Sequence, residues 1–547
     1  MRRYSVLLLT VLVLAGCGES DQAHEFEVAI TAEDFASHVK TLASDEFEGR
    51  LPATEGEKKT LEYLSAQYER AGLQPMVGDS YLQPVPLVGI TAKPDATLTI
   101  SDGNQSITPA YRHEMVIATK RVVSNSAITD SELVFVGYGV VAPEYDWNDY
   151  AGYDMTGKTA VILVNDPGFA ASDKNLFNGR SMTYYGRWTY KYEEAARQGA
   201  AGAIIIHETE AAGYGWDVVS NGWSGTQFHL STDDGNAGFV PIEGWVTGET
   251  AKAIMALAGQ DLASLSQAAS QGGFIPLPLG ITATANVDND LKESTSYNVA
   301  GWLPGSQRAD EYLVYMAHWD HMGRDDNLEG DQIFNGAMDN ATGTAALLEL
   351  AERFAGAQPP PERSIVFLAL TAEEQGLLGS AFYVANPIFA LDQTVAGFNI
   401  DRMSTFGPMR DVTVIGYGSS ELEFYLEGAA ANQDRVVVPE PTPEKGYFYR
   451  SDHFNFAKEG VPVLYIRGGI DHREHGPEYG ARQHADYVAN RYHKPLDEFD
   501  PDWDLSGTVE DVELVYAVGR KLASESVFPN WYLGNEFRAI RDASRSR

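Results

Sequence analysis

Cysteine is almost absent from this sequence, because Cys17 is the only one among 547 residues. A single cysteine cannot form an internal disulfide. If Cys17 is itself modified, no thiol remains as a nucleophile or as a metal ligand. Any catalytic metal would then have to be held by His, Asp and Glu side chains.

Basic residues are also scarce. The chain has 40 Lys and Arg against 77 Asp and Glu, which gives a formal charge of −37. This balance argues against nucleic-acid binding, which needs a basic surface, and is typical of a solubilising surface. Two hydrolase signatures, H-E-x-x-H and G-x-S-x-G, are missing, which argues against the chemistries that depend on them.

The N-terminal stretch "MRRYSVLLLTVLVLAGC" has a basic start, a short apolar run and small residues before the cysteine. The run is too short to span a bilayer, so residues 1–16 are predicted to be a signal peptide. "LAGC" resembles the lipobox of bacterial lipoproteins. The resemblance implies a lipid at Cys17 that anchors the protein in the bacterial cell envelope, on its periplasmic or extracellular face. Residues 17–27 are predicted to be a tether.

From about residue 286 to 530, apolar strands alternate with helical patterns; "EYLVYMAHWDH", "RSIVFLALTAEE" and "VPVLYIRGG" are examples of the strands. Such alternation predicts an α/β sheet covered by helices on both faces. Ligands in such sheets bind beyond the carboxyl ends of the strands.

Residues 118–285 differ from their surroundings. They are rich in Gly, Trp and Tyr, contain strand patterns such as "SELVFVGYGVV" and "TAVILVND", and have no dense cluster of potential metal ligands. We therefore predict a separate β-rich module that supplies no metal ligand.

Seven polar side chains that core packing does not explain follow the predicted strands or lie in the loops after them. They are His318, Asp320, Asp339, Glu373, Glu374, Asp401 and His493. One zinc ion needs only three or four ligands. The surplus predicts two ions that share a carboxylate, at the separation of about 3.5–4 Å found in two-metal hydrolases. Taken singly, Asp339 is also explained as a helix cap and the paired glutamates as solvated acids, so the prediction rests on the combination.

The pieces "AHWDH", "NGAMDNATG", "TAEEQGLLGS", "NIDRM", "YRSDHFNF" and "YHKPLDE" resemble, in this order, the dizinc M28 peptidases. These include bacterial aminopeptidases and glutamate carboxypeptidase-like enzymes. "LASDEFEGR" also looks like the opening of this family. The resemblance implies a three-layer α/β/α sandwich with a mixed, largely parallel sheet, built from residues 28–117 and 286–530 and followed by a C-terminal tail, 531–547.

The insertion at 118–285 resembles the protease-associated (PA) domain, on the pieces "GYGVVAPEYDWNDYAGYDMTGKTAVILVND" and "EEAARQGAAGAIIIHE".

The M28 resemblance also implies roles for the residues at the strand ends. It places His318 and Asp401 on one zinc ion, Glu374 and His493 on the other, and Asp339 between the two ions. No direct metal role is assigned to the other histidines of this region, which are His321, His453, His472, His475 and His484.

The remaining roles implied by the resemblance concern catalysis. Asp320 would orient His318 through its second ring nitrogen. Glu373 would be the general base, taking a proton from the attacking water and passing it to the leaving amine. Tyr447 or Tyr449, in "GYFYRSDH", would help to stabilise the oxyanion.

The implied function is a zinc aminopeptidase that removes N-terminal residues from peptides, with two zinc ions per chain. A glutamate carboxypeptidase-like enzyme is the alternative, because several arginines could form a clamp for a C-terminal carboxylate. These are Arg402, Arg450, Arg467, Arg473 and Arg482. A non-catalytic binding protein on the same fold, like transferrin receptor, is a third possibility, against which the full ligand set argues.

Overall fold

A computed structural model describes residues 29–171, 176–326 and 328–546. The predicted signal peptide and the whole predicted tether, including Cys17, lie outside the described residues. Among the described residues, no helix combines the length and the apolar character needed to cross a membrane.

The helices are α1 Ala32–Leu42, α2 Glu55–Arg70, α3 Pro167–Ala171, α4 Trp188–Arg197, α5 Thr209–Ala212, α6 Trp216–Gly222, α7 Gly248–Leu257, α8 Leu262–Ala269, α9 Thr342–Ala355, α10 Leu378–Ala385, α11 Leu422–Ala431, α12 His453–Lys458, α13 Pro477–Asn490, α14 Ser506–Ala523 and α15 Arg538–Arg545.

The strands are β1 Gln74–Pro75, β2 Leu82–Ala92, β3 Thr97–Ser101, β4 Ser106–Ile107, β5 Met115–Ala118, β6 Asn125–Phe135, β7 Val141–Ala142, β8 Trp147–Asn148, β9 Thr159–Leu163, β10 Gly202–His207, β11 Thr226–Leu230, β12 Ile242–Thr247, β13 Leu277–Leu303, β14 Arg308–His318, β15 Gly323–Arg324, β16 Ile333–Phe334, β17 Arg363–Leu370, β18 Thr394–Asn399, β19 Asp411–Val414, β20 Val436–Pro439 and β21 Val463–Gly468.

The first sheet carries the strands that end at the predicted site. Its centre is the parallel run β17, β14, β18 and β21. Strand β13 joins β17 antiparallel on one side, followed by β2 and β11. Strand β21 pairs antiparallel with β19, and β19 pairs parallel with β20. The sheet is therefore mixed and largely parallel in its centre.

Helices cover both faces of the first sheet. Because side chains alternate along a strand, Tyr315 of β14 points to one face, where its ring centre lies 5.4 Å from that of Phe354 on α9. Its neighbour Met316 belongs to the core of the opposite face, together with Tyr383 of α10 and Phe456 of α12. This three-layer α/β/α arrangement confirms the predicted fold class.

The second sheet contains β3–β6, β9, β10 and β12, and β13 joins it as well. Its core begins at Ala96 and includes Leu98 and Ile100. This unit therefore starts about twenty residues before the predicted boundary at residue 118, because β3–β5 pair with strands inside it.

Strand β13 runs through both sheets. Residues 277–288 pair with β3 and β6 of the second sheet, whereas residues 289–303 pair with β1, β2 and β17 of the first. The two units are thus joined through a continuous hydrogen-bonded strand.

The C-terminal segment predicted to be a tail is packed on the body of the protein. Trp531 is fully buried, and its indole nitrogen donates to the carbonyl oxygen of Gly460 at 3.0 Å. Phe537 is 5% exposed, and Arg541 on α15 is 1% exposed. Trp531 and Phe537 therefore belong to the core that includes residues of α12 and β21, and the segment is packed rather than a free tail.

Candidate metal centre

Three parallel strands bring the predicted ligands to one edge of the first sheet. His318 is the last residue of β14, Asp401 lies two residues after β18, and Glu373 and Glu374 follow β17. Because β14 pairs parallel with both β17 and β18, these strand ends meet at the same edge.

Asp339 reaches this edge from the loop before α9. The loop turns at Gly336, whose φ is +54°. The carboxylate of Asp497 accepts the backbone N–H groups of Met338 and Asp339, both at 3.0 Å. The loop therefore donates two hydrogen bonds to Asp497 of the "YHKPLDE" motif, and these bonds connect that motif to "NGAMDNATG".

The donor atoms fall into two groups that share Asp339. His318 Nε2 lies 3.4 Å from Asp339 Oδ1 and 3.7 Å from Asp401 Oδ1. His493 Nε2 lies 3.4 Å from Asp339 Oδ2 and 3.1 Å from Glu374 Oε2. Two ligands bound tetrahedrally to one zinc ion at about 2.0–2.1 Å are separated by about 3.3 Å. These donor pairs therefore fit zinc, with one carboxylate oxygen of Asp339 in each group.

The tautomer of His318 is suited to metal binding. Its Nδ1 lies 3.1 Å from the carbonyl oxygen of Asp320. A carbonyl oxygen can only accept, so Nδ1 carries a proton, and Nε2, which faces Asp339 and Asp401, is the ring nitrogen that could bind a metal ion.

The prediction for Asp320 needs correction. Its carboxylate was expected to hold the ring of His318, but Oδ1 is 3.8 Å from Nδ1, which is beyond hydrogen-bond distance. The backbone carbonyl of Asp320 makes that contact. The buried carboxylate accepts the N–H groups of Glu373 and Glu374 at 3.0 and 3.3 Å. Asp320 therefore positions the backbone of the glutamate pair.

The two adjacent glutamates have pKa values shifted in opposite directions. Burial raises the pKa of Glu373 well above its usual range, and the charges of Asp401 and Glu374 raise it further. Burial also acts on Glu374, but His493 and His321 hold the pKa of that carboxyl below its usual range. Divergent pKa values in one pair of carboxyls are typical of a base beside a permanently ionised group. Glu373 can thus carry a proton, while Glu374 stays ionised and available to a cation.

His321 is a site residue that the sequence analysis missed. It is fully buried, and its Nδ1 lies 2.7 Å from Glu374 Oε1. Its Nε2 is buried without a hydrogen-bond partner among the described residues and lies in a group with Asp339 and Glu374 that could hold a metal ion. The signal was present in "AHWDH", but β14 ends at His318, so strand alternation could not show where His321 points.

The motif "LASDEFEGR" contacts the backbone of the loops that carry the site residues. Arg50 is 1% exposed, and its guanidinium donates to the carbonyl oxygens of Leu42, Trp319, Asn335 and Gly336 at 2.6–2.9 Å. Three of these carbonyls, those of Trp319, Asn335 and Gly336, lie in the segments that carry His318 and Asp339. One side chain therefore ties the N-terminal region to both site loops.

The two tyrosines predicted to contact the oxyanion are placed differently. The hydroxyl group of Tyr449 donates to Glu536 at 3.1 Å, inside the C-terminal packing. Tyr447 lies between two arginines, with its ring centre 4.6 Å from the guanidinium carbon of Arg467 and 5.3 Å from that of Arg450. The hydroxyl group of Tyr449 thus makes a structural contact with Glu536. Tyr447 belongs to a basic surface beside the centre.

Buried carboxylates and imidazoles at the carboxyl edge of such a sheet are ligand types that suit a divalent metal ion such as zinc. Residues 298–517 match the sequence model of peptidase family M28. This part of the chain is therefore similar to the M28 peptidases, in agreement with the resemblance of its motifs.

Individual relatives are similar over parts of the chain. The aminopeptidase NAALADL1 of Mus musculus is 34% identical over 137 residues, 24% of this chain and 17% of the relative. The probable glutamate carboxypeptidase AMP1 of Arabidopsis thaliana is 25% identical over 377 residues, 64% of this chain and 49% of the relative. The aminopeptidase YwaD of Bacillus subtilis is 26% identical over 188 residues, 34% of this chain and 38% of the relative. The matched regions span less than half of each of these relatives.

The fold is similar to that of a solved aminopeptidase from Aneurinibacillus sp. strain AM-1. The match has a TM-score of 0.52 and 23% sequence identity, and covers 91% of this chain and 96% of that chain. The similarity thus extends over both sheets.

Proposed function

We propose that this protein is a zinc-dependent aminopeptidase that removes N-terminal residues from peptides. The observation that carries the proposal is the arrangement of Asp339, which places one carboxylate oxygen 3.4 Å from His318 Nε2 and the other 3.4 Å from His493 Nε2. The M28 match and the aminopeptidases among the relatives support it.

The proposed metal content is two zinc ions per chain. His318 and Asp401 would hold one ion, Glu374 and His493 the other, and Asp339 would bind both. When bound, zinc supplies a Lewis acid that polarises the scissile carbonyl group.

Glu373 is the proposed general base. Its backbone is fixed by Asp320 at 3.0 Å, and its raised pKa suits a carboxyl group that gains and loses a proton during turnover. It would take a proton from the attacking water and deliver it to the nitrogen of the leaving amine.

The preference for a free N-terminus rests on the surplus of acids at the edge of the sheet. A protonated amine is attracted to carboxylates that the metal ions do not neutralise. A glutamate carboxypeptidase-like activity is the second candidate, because Arg450 and Arg467, which flank Tyr447, could bind a C-terminal carboxylate.

The decisive test uses one pentapeptide in two modified forms. Acetylation of its N-terminus is expected to remove nearly all cleavage, whereas amidation of its C-terminus should change little. If amidation is the harmful change, the carboxypeptidase activity is the correct one. If neither the free nor the modified peptide is cleaved by the zinc-loaded protein, the proposed function is wrong.

We further propose that the second unit is a PA-like module that shapes access to the site. Its β11 pairs with β2 of the first sheet, and the backbone N–H of Phe228 in β11 lies 3.4 Å from the side-chain oxygen of Gln375, next to the glutamate pair. The ring of Tyr184 lies 4.9 Å from that of Phe454 on α12. This unit therefore contacts the first sheet close to the proposed centre.

We also propose that Cys17 carries a lipid that anchors the protein in the bacterial cell envelope. "LAGC" supports this. Cys17→Ser is expected to move the protein from the membrane fraction to the soluble fraction of a bacterial host. A variant that stays in the membrane fraction would show that another feature holds it there.

A further inference from the structure

The motif "YRSDHFNF" connects two segments that carry acids of the proposed centre. Nδ2 of Asn455 in this motif donates to Oγ of Ser380 at 2.9 Å, in the helix that follows the glutamate pair. Oγ of Ser451 accepts Nδ2 of Asn399 at 2.8 Å, two residues before Asp401. The motif is therefore held to both segments by hydrogen bonds between side chains.

Asp452, in the middle of this motif, is a fully buried carboxyl group. Its Oδ1 accepts the hydroxyl group of Ser380 at 2.6 Å. Its Oδ2 is also buried and has no hydrogen-bond partner among the described residues. The buried carboxylate of Asp511, by contrast, pairs with the guanidinium group of Arg435 at 2.6 Å. Asp452 thus keeps one carboxylate oxygen away from both water and donors of the protein.

Neither protonation state of Asp452 is satisfied by the described residues. The ionised form is unfavourable in a buried position without a compensating partner, and burial raises the pKa of Asp452 to about 6. The neutral form gains a hydroxyl group at Oδ2, which needs an acceptor that these residues do not provide there. A cation close to the carboxylate would stabilise the ionised form.

The proposed metal centre is the place for such a cation. Besides burial, His318 lowers the pKa of Asp452 and Asp401 raises it, so the charge of Asp452 is felt at both of these side chains. Both belong to the donor atoms around His318 Nε2, where the first zinc ion is proposed. Because a charge interaction falls with distance and is strong in a buried environment, a carboxylate at this position favours a positive ion there.

We propose that Asp452 is a positioning residue of the metal centre, whose buried negative charge raises the affinity for the zinc ion at His318 and Asp401 without being one of its ligands. The inference rests on the proposed two-zinc centre. It assigns to the "YRSDHFNF" motif an electrostatic role in addition to the hydrogen bonds that it forms.

The test is Asp452→Asn, which keeps the size of the side chain and an acceptor for Ser380 but removes the charge. Zinc is added to the metal-free protein in competition with a chelator. The affinity for one of two ions is expected to fall about 10–100-fold, the usual effect of losing a group that supports a ligand. The melting temperature of the metal-free protein should not fall, because the substitution removes a buried charge without a partner.

The matched control is Asp511→Asn, the same substitution at a buried carboxylate that has a basic partner. It should lower the melting temperature of the metal-free protein, because Arg435 is left buried and unpaired, and it should leave both zinc affinities unchanged. The two variants are thus expected to have opposite effects on stability and on zinc binding.

Two backgrounds identify the ion that is affected. In His493→Gln, which removes a proposed ligand of the second ion, Asp452→Asn should still weaken the zinc that remains. In His318→Gln, which removes a proposed ligand of the first ion, it should have little further effect, since the two changes act on the same ion.

The outcomes separate the role of Asp452 from the proposed centre and from the proposed activity. If the wild-type protein binds no zinc, the metal centre itself is wrong. If it binds two ions and Asp452→Asn binds both with unchanged affinity, the role of Asp452 is overturned and the centre stands. A lower melting temperature with normal zinc binding would make Asp452 a structural residue only. Equal weakening of both ions would overturn its assignment to the first ion. Peptide hydrolysis does not enter this test, so a failure of the aminopeptidase function would be seen separately.

Discussion

Arg50→Met tests how the N-terminal motif supports the metal centre. The wild-type guanidinium donates four hydrogen bonds of 2.6–2.9 Å to buried carbonyl oxygens. Burial lowers its pKa only to about 10, so the group is charged at neutral pH. Methionine has a similar length but no donor, so all four carbonyls lose a charged partner.

The expected cost follows from these contacts. A hydrogen bond to a charged group contributes about 1.5–3 kcal/mol, so four at the lower limit give about 6 kcal/mol. Local relaxation of the carbonyls reduces this, and we expect a loss of about 4 kcal/mol. At about 1–2 °C per kcal/mol for a chain of this length, the melting temperature should fall by roughly 4–8 °C.

The assay is thermal unfolding of the zinc-loaded protein, with Arg70→Met as the matched control. Arg70 is 60% exposed and pairs with Glu352 at the surface, which is worth about 1 kcal/mol or less. Arg50→Lys should not restore stability, because a single ammonium group cannot reach the carbonyls of both Leu42 and Gly336 in the same geometry. Equal melting temperatures for Arg50→Met and Arg70→Met would refute this reasoning.

Three further predictions concern the centre itself. Glu373→Gln should lower kcat by about 10²–10⁴-fold at unchanged zinc content; loss of one zinc equivalent would mean that Glu373 is a ligand. His321→Gln should weaken zinc binding by about 10–100-fold in chelator competition, because loss of a partner that orients a ligand has an effect of this size. The control is His475→Gln at an exposed position. Equal zinc affinities of the two variants would contradict the role of His321. His207→Gln and His229→Gln, both in the second unit, should retain all bound zinc, and a loss in either would mean that this unit contributes a ligand.

Much of the metal centre could be predicted from local patterns. His318, Glu373 and Glu374 follow apolar runs that are recognisable as buried strands, and parallel strands bring their carboxyl ends to one edge. The strand pattern therefore predicted both the fold class and the edge of the sheet at which the acidic side chains meet. Asp339 lies in a loop, and it was found because its motif accompanies the others.

Other features depend on contacts that no local pattern records. His321 follows the end of a strand, where the alternation of side chains stops. Tyr449 was placed in the site by proximity in sequence, but its hydroxyl is held by Glu536, 87 residues away. Each of these depends on tertiary packing, which sequence periodicity does not report.

The start of the second unit also could not be predicted from local sequence patterns. The change of composition near residue 118 is real, but β3 and β5 join the second sheet through pairing with β13 and β12. Strand patterns identify β3 and β5 as strands without indicating their partners.

Strand β13 has a consequence for how far the two units can move relative to each other. In most two-unit proteins, a flexible linker allows the units to swing apart. Here, 27 consecutive residues form one strand that is bonded into both sheets, and a swing would have to break several of those bonds at once. The position of the second unit relative to the first sheet is therefore set during folding. For the proposed peptidase, this predicts that substrate binding involves no hinge motion between the two units.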